Sequence, residues 1–393
     1  MKSNRILITI FTLMVIASML AACAPAATQA PAAPAAPATQ APAAPAPATQ
    51  APAAKIKVGI SFSDFATERW KNEDTLMKKL LGEKGYDVIS QEANHDVKLQ
   101  NDQIDNMVTQ GVKGLIVIAE DGAAAATSVD KAADAGVKVI AYDRLIKTAK
   151  IAAYLSFDNT EVGRQEALGV MTALGLPGST KWTKANPAKI VMSGGSPTDN
   201  NAHLVRNGQM EVIQPYIDQG VVKIVADQWV DNWDPAFAEK MMENILTAQG
   251  NKIDGVVASN DGTALGELQA MKAQKLAGVV PISGQDATAD GCNSIVKGEQ
   301  TVSVYKDIRL LSPAAVDMMD TLLKGGKVTG TKEYTMKVMT GEDLPGSIQA
   351  NFLPVKQVTK DNVYDLIVKS CFQPYDDVYR DVTTNLPAKV TCP

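Results

Sequence analysis

The sequence predicts an α/β fold in two similar halves, each a doubly wound parallel sheet. Short apolar runs alternate with amphipathic helical stretches at about 30-residue spacing, the signature of βαβ units. Those runs are continuous rather than alternating, as in strands buried on both faces. The pattern then restarts near residue 160, and each half is too large to share one sheet with the other. In open α/β sheets ligands bind outside the carboxyl ends of the strands. The two sets of strand ends are therefore expected to face each other across a cleft.

In the first half, strands are expected at 56–62, 86–91, 114–119, 137–142 and 153–157. Helices are expected at 68–85, from Asp96 to Gly111, and at 123–135. Met77, Leu80, Leu81 and Lys84 recur at three-to-four spacing, and Gly85 stops that helix. The second half reads as helix 161–174, a polar loop 175–187, strand 189–193, helix 201–219 and strand 222–228. Helix 235–249, strand 255–259, helix 262–274 and strand 279–283 follow. Helix 287–297, strand 301–305 and helix 308–324 complete the pattern.

The N-terminus is a targeting segment. Lys2 and Arg5 precede an apolar stretch over 6–20, which closes on Leu20-Ala21-Ala22-Cys23. This resembles the lipobox of bacterial lipoproteins, which implies a signal peptide over 1–23, a lipidated Cys23 and attachment to the outer face of the cell membrane. Residues 24–54 repeat Ala-Pro-Ala-Thr-Gln and lack the material for a core, so a disordered tether is expected. Extended as polyproline II it would reach on the order of 100 Å.

Charged residues are 21% of the chain, aromatics 5%, and the net charge is −5, a balance that excludes a basic nucleic-acid-binding face. The only histidines, His95 and His203, stand far apart, and no Cys/His cluster has zinc-ligand spacing. Neither a phosphate-binding loop, a dinucleotide fingerprint nor a nucleophile elbow is present, so no cofactor or metal is expected. Export permits disulfides. Cys371 and Cys392 flank the polar tail and are paired on that ground, while Cys292 falls in a helical pattern as a buried free thiol.

The candidate site rests on recurrence. Strand 138–142 runs straight into Asp143-Arg144. Asp64, Asp158-Asn159, Asn260-Asp261 and Asp286 follow other apolar runs in the same way. One such pair is an ordinary surface ion pair; many aimed at one crevice suit a small molecule rich in hydroxyls. Carboxylates supply acceptors, and guanidinium, ammonium and amide groups supply donors. Arg69, Asp143, Arg144, Asn201, Asn260, Asp286 and Lys306 make such a set. Trp70 and Trp233 stand at strand-to-helix crossings and offer flat faces for a pyranose ring, whereas Trp229 reads better as a core lid. Asp143 and Asp286 would also serve as a glycosidase pair. Hydrogen bonding to sugar explains them more simply, because an enzyme has no reason to set a base beside each acid.

The motifs Arg69-Trp70, Ala-Tyr-Asp143-Arg144, Pro-Thr-Asp-Asn-Asn201, Asp227-Gln-Trp-Val-Asp-Asn-Trp233, Ser-Asn260-Asp261, Gly-Gln-Asp286 and Tyr-Lys306 stand in one order. Together they resemble the sugar-binding proteins of bacterial ABC importers, of the ribose/galactose type and its xylose-binding branch. The likeness runs from about 55 to about 370 and omits loop 175–187 and the tail. It implies the type I periplasmic binding protein fold: two lobes joined by three hinge crossovers, near 157–160, 306–308 and 338–342. The first lobe would be 55–157 plus 308–338, the second 158–307 plus 339–370, with 371–393 as a tail. It further implies a non-enzymatic monomer that closes on a monosaccharide, D-xylose foremost, and hands it to an ABC permease and its ATPase. Trp70 and Trp233 would sandwich the ring. Arg69, Asp143 and Arg144 would bind from the first lobe, and Asn201, Asn260, Asp286 and Lys306 from the second or its hinge. A sensor presenting sugar to a chemoreceptor or kinase is the alternative in the same fold.

Overall fold

The computed structural model describes residues 54–392. The expected signal peptide, tether and lipidated Cys23 lie outside them. Among the described residues no helix is long and apolar enough to cross a membrane.

The first sheet has seven strands in the order β10-β11-β5-β4-β3-β1-β2. They are β1 Lys57–Phe62, β2 Asp87–Glu92, β3 Gly114–Val117, β4 Lys138–Tyr142, β5 Ala153–Phe157, β10 Lys332–Thr335 and β11 Ser347–Leu353. All neighbours run parallel except β10 against β11. Helices cover both faces, which is why the central strands β3, β4 and β5 read as nearly unbroken apolar runs. Val58, Ile60 and Phe62 pack with Met77 and Leu81 of helix α1 (Glu68–Glu83) and with Met319, all buried. Leu115, Val117 and Val139 pack on the other face with Ile104 and Met107 of α2 (Val97–Thr109) and Val129 of α3 (Ala126–Asp134). Each fully buried aliphatic side chain contributes roughly 1.5–3 kcal/mol.

The second lobe centres on β6 (Ala188–Gly194), with β7 (Val222–Trp229) and β8 (Gly255–Ala258) parallel on either side. Single bridges from Val256 to Ile282 and from Gln285 to Val304 extend it to β9 (Ser303–Tyr305) and β12 (Lys356–Val358). The strand expected over 279–283 is thus reduced to one bridge at Ile282. Its helices are α4 Asn159–Ala173, α5 Asn200–Asp218, α6 Pro235–Gln249, α7 Asp261–Ala273 and α8 Ala289–Lys297.

Three crossings join the lobes. The first lies between β5 and α4, at Asp158. The second lies at Lys306–Asp307, between β9 and α9 (Ile308–Leu323), which packs in the first lobe. The third differs from expectation. Residues 339–353, assigned above to the second lobe, include β11, which pairs in parallel with β5 of the first. The chain crosses only at 354–355, before β12 pairs with β9. The cause is in β11 itself: Ile348 and Ala350 are buried while Ser347, Gln349 and Asn351 alternate with them, the pattern of a strand on a sheet flank.

The tail docks on the second lobe. Its Val378 is buried with Val363, Ile367 and Val368, which precede the tail, and with Cys292 and Ile295 of α8. Cys371 and Cys392 are bonded, their Cα atoms 5.5 Å apart, and Cys292 is a buried free thiol.

Candidate functional site

Each expected site residue follows the carboxyl end of a strand or lies in the first turns beyond it. Asp143 comes directly after β4 with a left-handed backbone, φ 59°, a conformation Asp adopts at small cost. Its carbonyl accepts hydrogen bonds from Tyr154 (2.9 Å) and Ser156 (2.7 Å), so the turn is clamped by β5. Arg69 lies in the first turn of α1, and Glu73 one turn on accepts from its Nη2 at 2.6 Å and its Nε at 3.0 Å. Lys306 directly follows β9. Asp286 has φ 90°, and Ala287 after it φ 48°.

Four of these groups meet. Arg69 Nη2 is 3.0 Å from Asp143 Oδ2, and Arg69 Nη1 is 3.3 Å from Asp286 Oδ1. Lys306 Nζ is 3.3 Å from Asp286 Oδ1 and 3.8 Å from Asp143 Oδ2. Two acids and two bases, one of each from either side of the cleft, thus form a ring. Asn201 of the second lobe donates to the carbonyl of Asp143 at 2.9 Å and its Oδ1 at 3.2 Å. Burial pushes the Asp143 carboxyl up, but Arg69 and then Lys306 outweigh it and hold it below its ordinary value. Glu73, fully buried and near Asp143, is pushed up to about 7 despite Arg69. Asp143 Oδ2 is buried and ion-paired, yet accepts no hydrogen bond of good geometry, so it retains acceptor capacity.

Arg144 is buried as well but turns to a different group of acids. Its Nε lies 3.1 Å from Asp199 Oδ2, its Nη1 3.5 Å from Glu120 Oε2, and Nη1 donates to the carbonyl of Ala119 at 3.2 Å. Trp233 Nε1 donates to the same Asp199 oxygen at 3.3 Å. The indole of Trp233 lies on Gly195, where a Cβ would come within 2.0 Å of the ring, so only glycine fits there. The face of Trp70 carries the guanidiniums of Arg69, 4.5 Å from the ring centroid, and Arg144 at 5.8 Å. Trp70 Nε1 is buried with no partner. Asn260 caps α7, its Oδ1 accepting from Thr263 N at 2.8 Å, and lines a cavity of about 450 Å³ with Arg69, His95, Trp233, Asp286 and Thr288. Trp229 packs on Gly194 and His203 under Arg206, away from the ring of charges.

Glu73, Asp199 and Glu120 join the site only in the folded chain. Glu73 sits four residues after Arg69 on one helix face, a spacing that signals an ion pair. Asp64, His95 and Glu120 place ligand atoms within 4.8 Å of one another, a spacing that would suit a metal ion. Asp64 already accepts from Thr67 N at 2.7 Å and Ser63 Oγ at 2.8 Å, and Arg144 supplies the positive charge beside Glu120.

A family model described as a periplasmic binding protein domain matches residues 56–327. The chain belongs to the periplasmic binding protein family. Its members are substrate-binding proteins rather than enzymes. The chain is 40% identical over 322 residues to the D-xylose-binding periplasmic protein of Escherichia coli, covering 81% of this chain and 92% of that protein. It is 38% identical to the multiple sugar-binding periplasmic receptor ChvE of Rhizobium radiobacter, over 72% of this chain and 82% of the relative. Among solved structures, an ABC transporter solute-binding protein from Clostridium phytofermentans with bound β-D-glucose superposes with a TM-score of 0.73. The two are 30% identical, with 82% of this chain and 99% of that chain covered.

Proposed function

We propose that this protein captures a monosaccharide, D-xylose foremost, between its two lobes and delivers it to an ABC permease and its ATPase, held at the membrane by a lipidated Cys23. The observation that carries the reading is the ring of Arg69, Asp143, Asp286 and Lys306, which draws acceptors and donors from both lobes. Such a set satisfies hydroxyls that each donate one hydrogen bond and accept others. Asp143 Oδ2 and Trp70 Nε1 add a buried acceptor and a buried donor with capacity to spare. In this reading the sugar separates Arg69 and Lys306 from the acids and takes over their hydrogen bonds, while Trp233 covers one face of the ring. Lobe closure by hinge rotation at the three crossings completes the site. Identity over most of the length of a D-xylose-binding relative favours D-xylose. The reading assigns no catalytic residue, in keeping with a family of substrate-binding proteins rather than enzymes.

A second reading, a sensor that presents sugar to a chemoreceptor or kinase, is favoured by the relative whose name calls it a multiple sugar-binding receptor. The test is calorimetric titration of the protein with D-xylose, glucose, ribose and arabinose. Micromolar or tighter binding of D-xylose, much weaker for the rest, supports the assignment. Comparable binding of several sugars moves the protein toward the broad receptors, and turnover of xylosides removes the binding-protein reading.

A further inference from the structure

The C-terminal tail reaches the back wall of the charged ring. Phe372 and Gln373 share a small cavity with Arg69, Asp286 and Thr288. Gln373 Nε2 donates to the carbonyl of Ala287 at 3.0 Å. That carbonyl belongs to the left-handed pair Asp286–Ala287, at φ 90° and 48°, backbone that L-residues rarely adopt and that neighbours must hold in place. The second lobe holds the N–H side of the pair: Asp286 N donates to Val304 at 2.8 Å and Ala287 N to Ser303 Oγ at 3.0 Å. The tail holds the carbonyl side. Phe372 meets Tyr305, the residue before Lys306, edge to face with centroids 4.6 Å apart. Arg309, just past the second crossing, lies 5.2 Å over Phe372, bonds the carbonyl of Ser370 and donates to Tyr305 Oη at 2.7 Å. The tail is fixed independently of these contacts, through Asn293 Nδ2 to the carbonyls of Val378 (3.0 Å) and Arg380 (2.7 Å), and the Cys371–Cys392 bond closes it on itself.

We propose that Gln373, with Phe372 beside it, is a positioning residue for sugar: the tail braces the Asp286–Ala287 turn and so aims the Asp286 carboxylate into the cleft. The proposal rests on the sugar-binding reading of that cleft. Removing Gln373 takes the donor from the Ala287 carbonyl; the strained turn is then held only through the N–H groups of Asp286, Ala287 and Thr288, the last on Asp261 at 2.9 Å, and the Asp286 carboxylate is less firmly aimed.

The experiment uses the full chain and Gln373→Ala, titrated with D-xylose by calorimetry, with amide hydrogen exchange followed in the sugar-free protein. The expected result is about fivefold weaker binding, the worth of one hydrogen bond. The amides of Asp286 and Ala287 exchange faster, and the melting temperature falls by no more than about 4 °C. In an Asp286→Asn background, Gln373→Ala then costs less than twofold, because the carboxylate it aims is gone. A tail that merely stabilises the lobe would weaken both backgrounds equally, and that result overturns the proposal. Binding within twofold of the parent overturns it, as does unchanged exchange at Asp286 and Ala287. Failure of the parent chain to bind any of the four sugars refutes the proposed function instead, and the exchange measurement then decides the brace alone.

Discussion

Asp143→Asn is the most informative single change. Asparagine is isosteric and adopts left-handed backbone readily, so the turn at φ 59° is kept with less strain than alanine would impose. What is lost is one negative charge 3.0 Å from Arg69 and 3.8 Å from Lys306. Removing one partner of a buried ion pair usually costs about 3–5 kcal/mol, because the other charge is stranded. Here Asp286 holds the same two cations at 3.3 Å each, and Glu73 stays on Arg69, so a stability loss of about 2–3 kcal/mol is expected. The sugar loses a charge-assisted hydrogen bond worth about 1.5–3 kcal/mol, which weakens binding by about ten- to more than a hundredfold. Calorimetry with D-xylose reads the second effect and denaturant unfolding the first. Affinity within threefold of the parent would refute the assignment of Asp143 to the sugar.

Three further outcomes are expected. Glu267 is fully buried, and burial, offset only in part by the Ser193 hydroxyl, pushes it from 4.5 up to about 8. Its folded-state value is raised, so its contribution to stability is intact below pH 4.5 and is lost as the pH rises toward 8, by at most about 5 kcal/mol. Glu267→Gln should therefore stabilise the protein relative to the parent at pH 8 and not at pH 5; an equal difference at both pH values in urea unfolding would contradict this. The doubly substituted Cys371→Ser/Cys392→Ser protein should lose about 3 kcal/mol, the chain-entropy value for the 21-residue separation, and melt roughly 4 °C lower with unchanged sugar affinity. Cys23→Ala should release the protein from the membrane fraction of expressing cells into the soluble one, and mass spectrometry of the parent should find the lipid on Cys23.

The alternation of strands and helices is legible because strands covered on both faces carry unbroken apolar runs, as 114–117 and 139–142 do. The third crossing is not, because β11 lies on the flank of its sheet and alternates Ile348 and Ala350 with polar neighbours, a weaker signal than a buried run. The acids at strand ends carried a mixed message. Asp143 and Asp286 do join the cations. Asp158 and Asn260, in the same sequence setting, cap helices α4 and α7 by accepting from Glu161 N and Thr263 N. Asp261 is a buried hub for Ser303, Gln300 and Thr288. A strand-to-helix turn needs a cap and a site needs an acceptor, and the same residue types serve both. Asp199, within the motif that carries Asn201, gives no sign of its role in the sequence, because its partners, Arg144 and Trp233, come from opposite lobes and meet only in the folded chain.

The interleaving of the lobes sets an order of assembly. The β5 edge of the first sheet is completed by β11 and β10, drawn from 332–353, after the whole central stretch that builds the second lobe. During synthesis the opening stretch therefore waits with an unpaired edge until nearly the entire chain has emerged. Neither lobe is a unit of sequence that a ribosome releases finished. A protein built this way stays threadable for most of its synthesis and locks late. Truncations before residue 353 should leave the first lobe open-edged and prone to aggregate, rather than as a smaller working half.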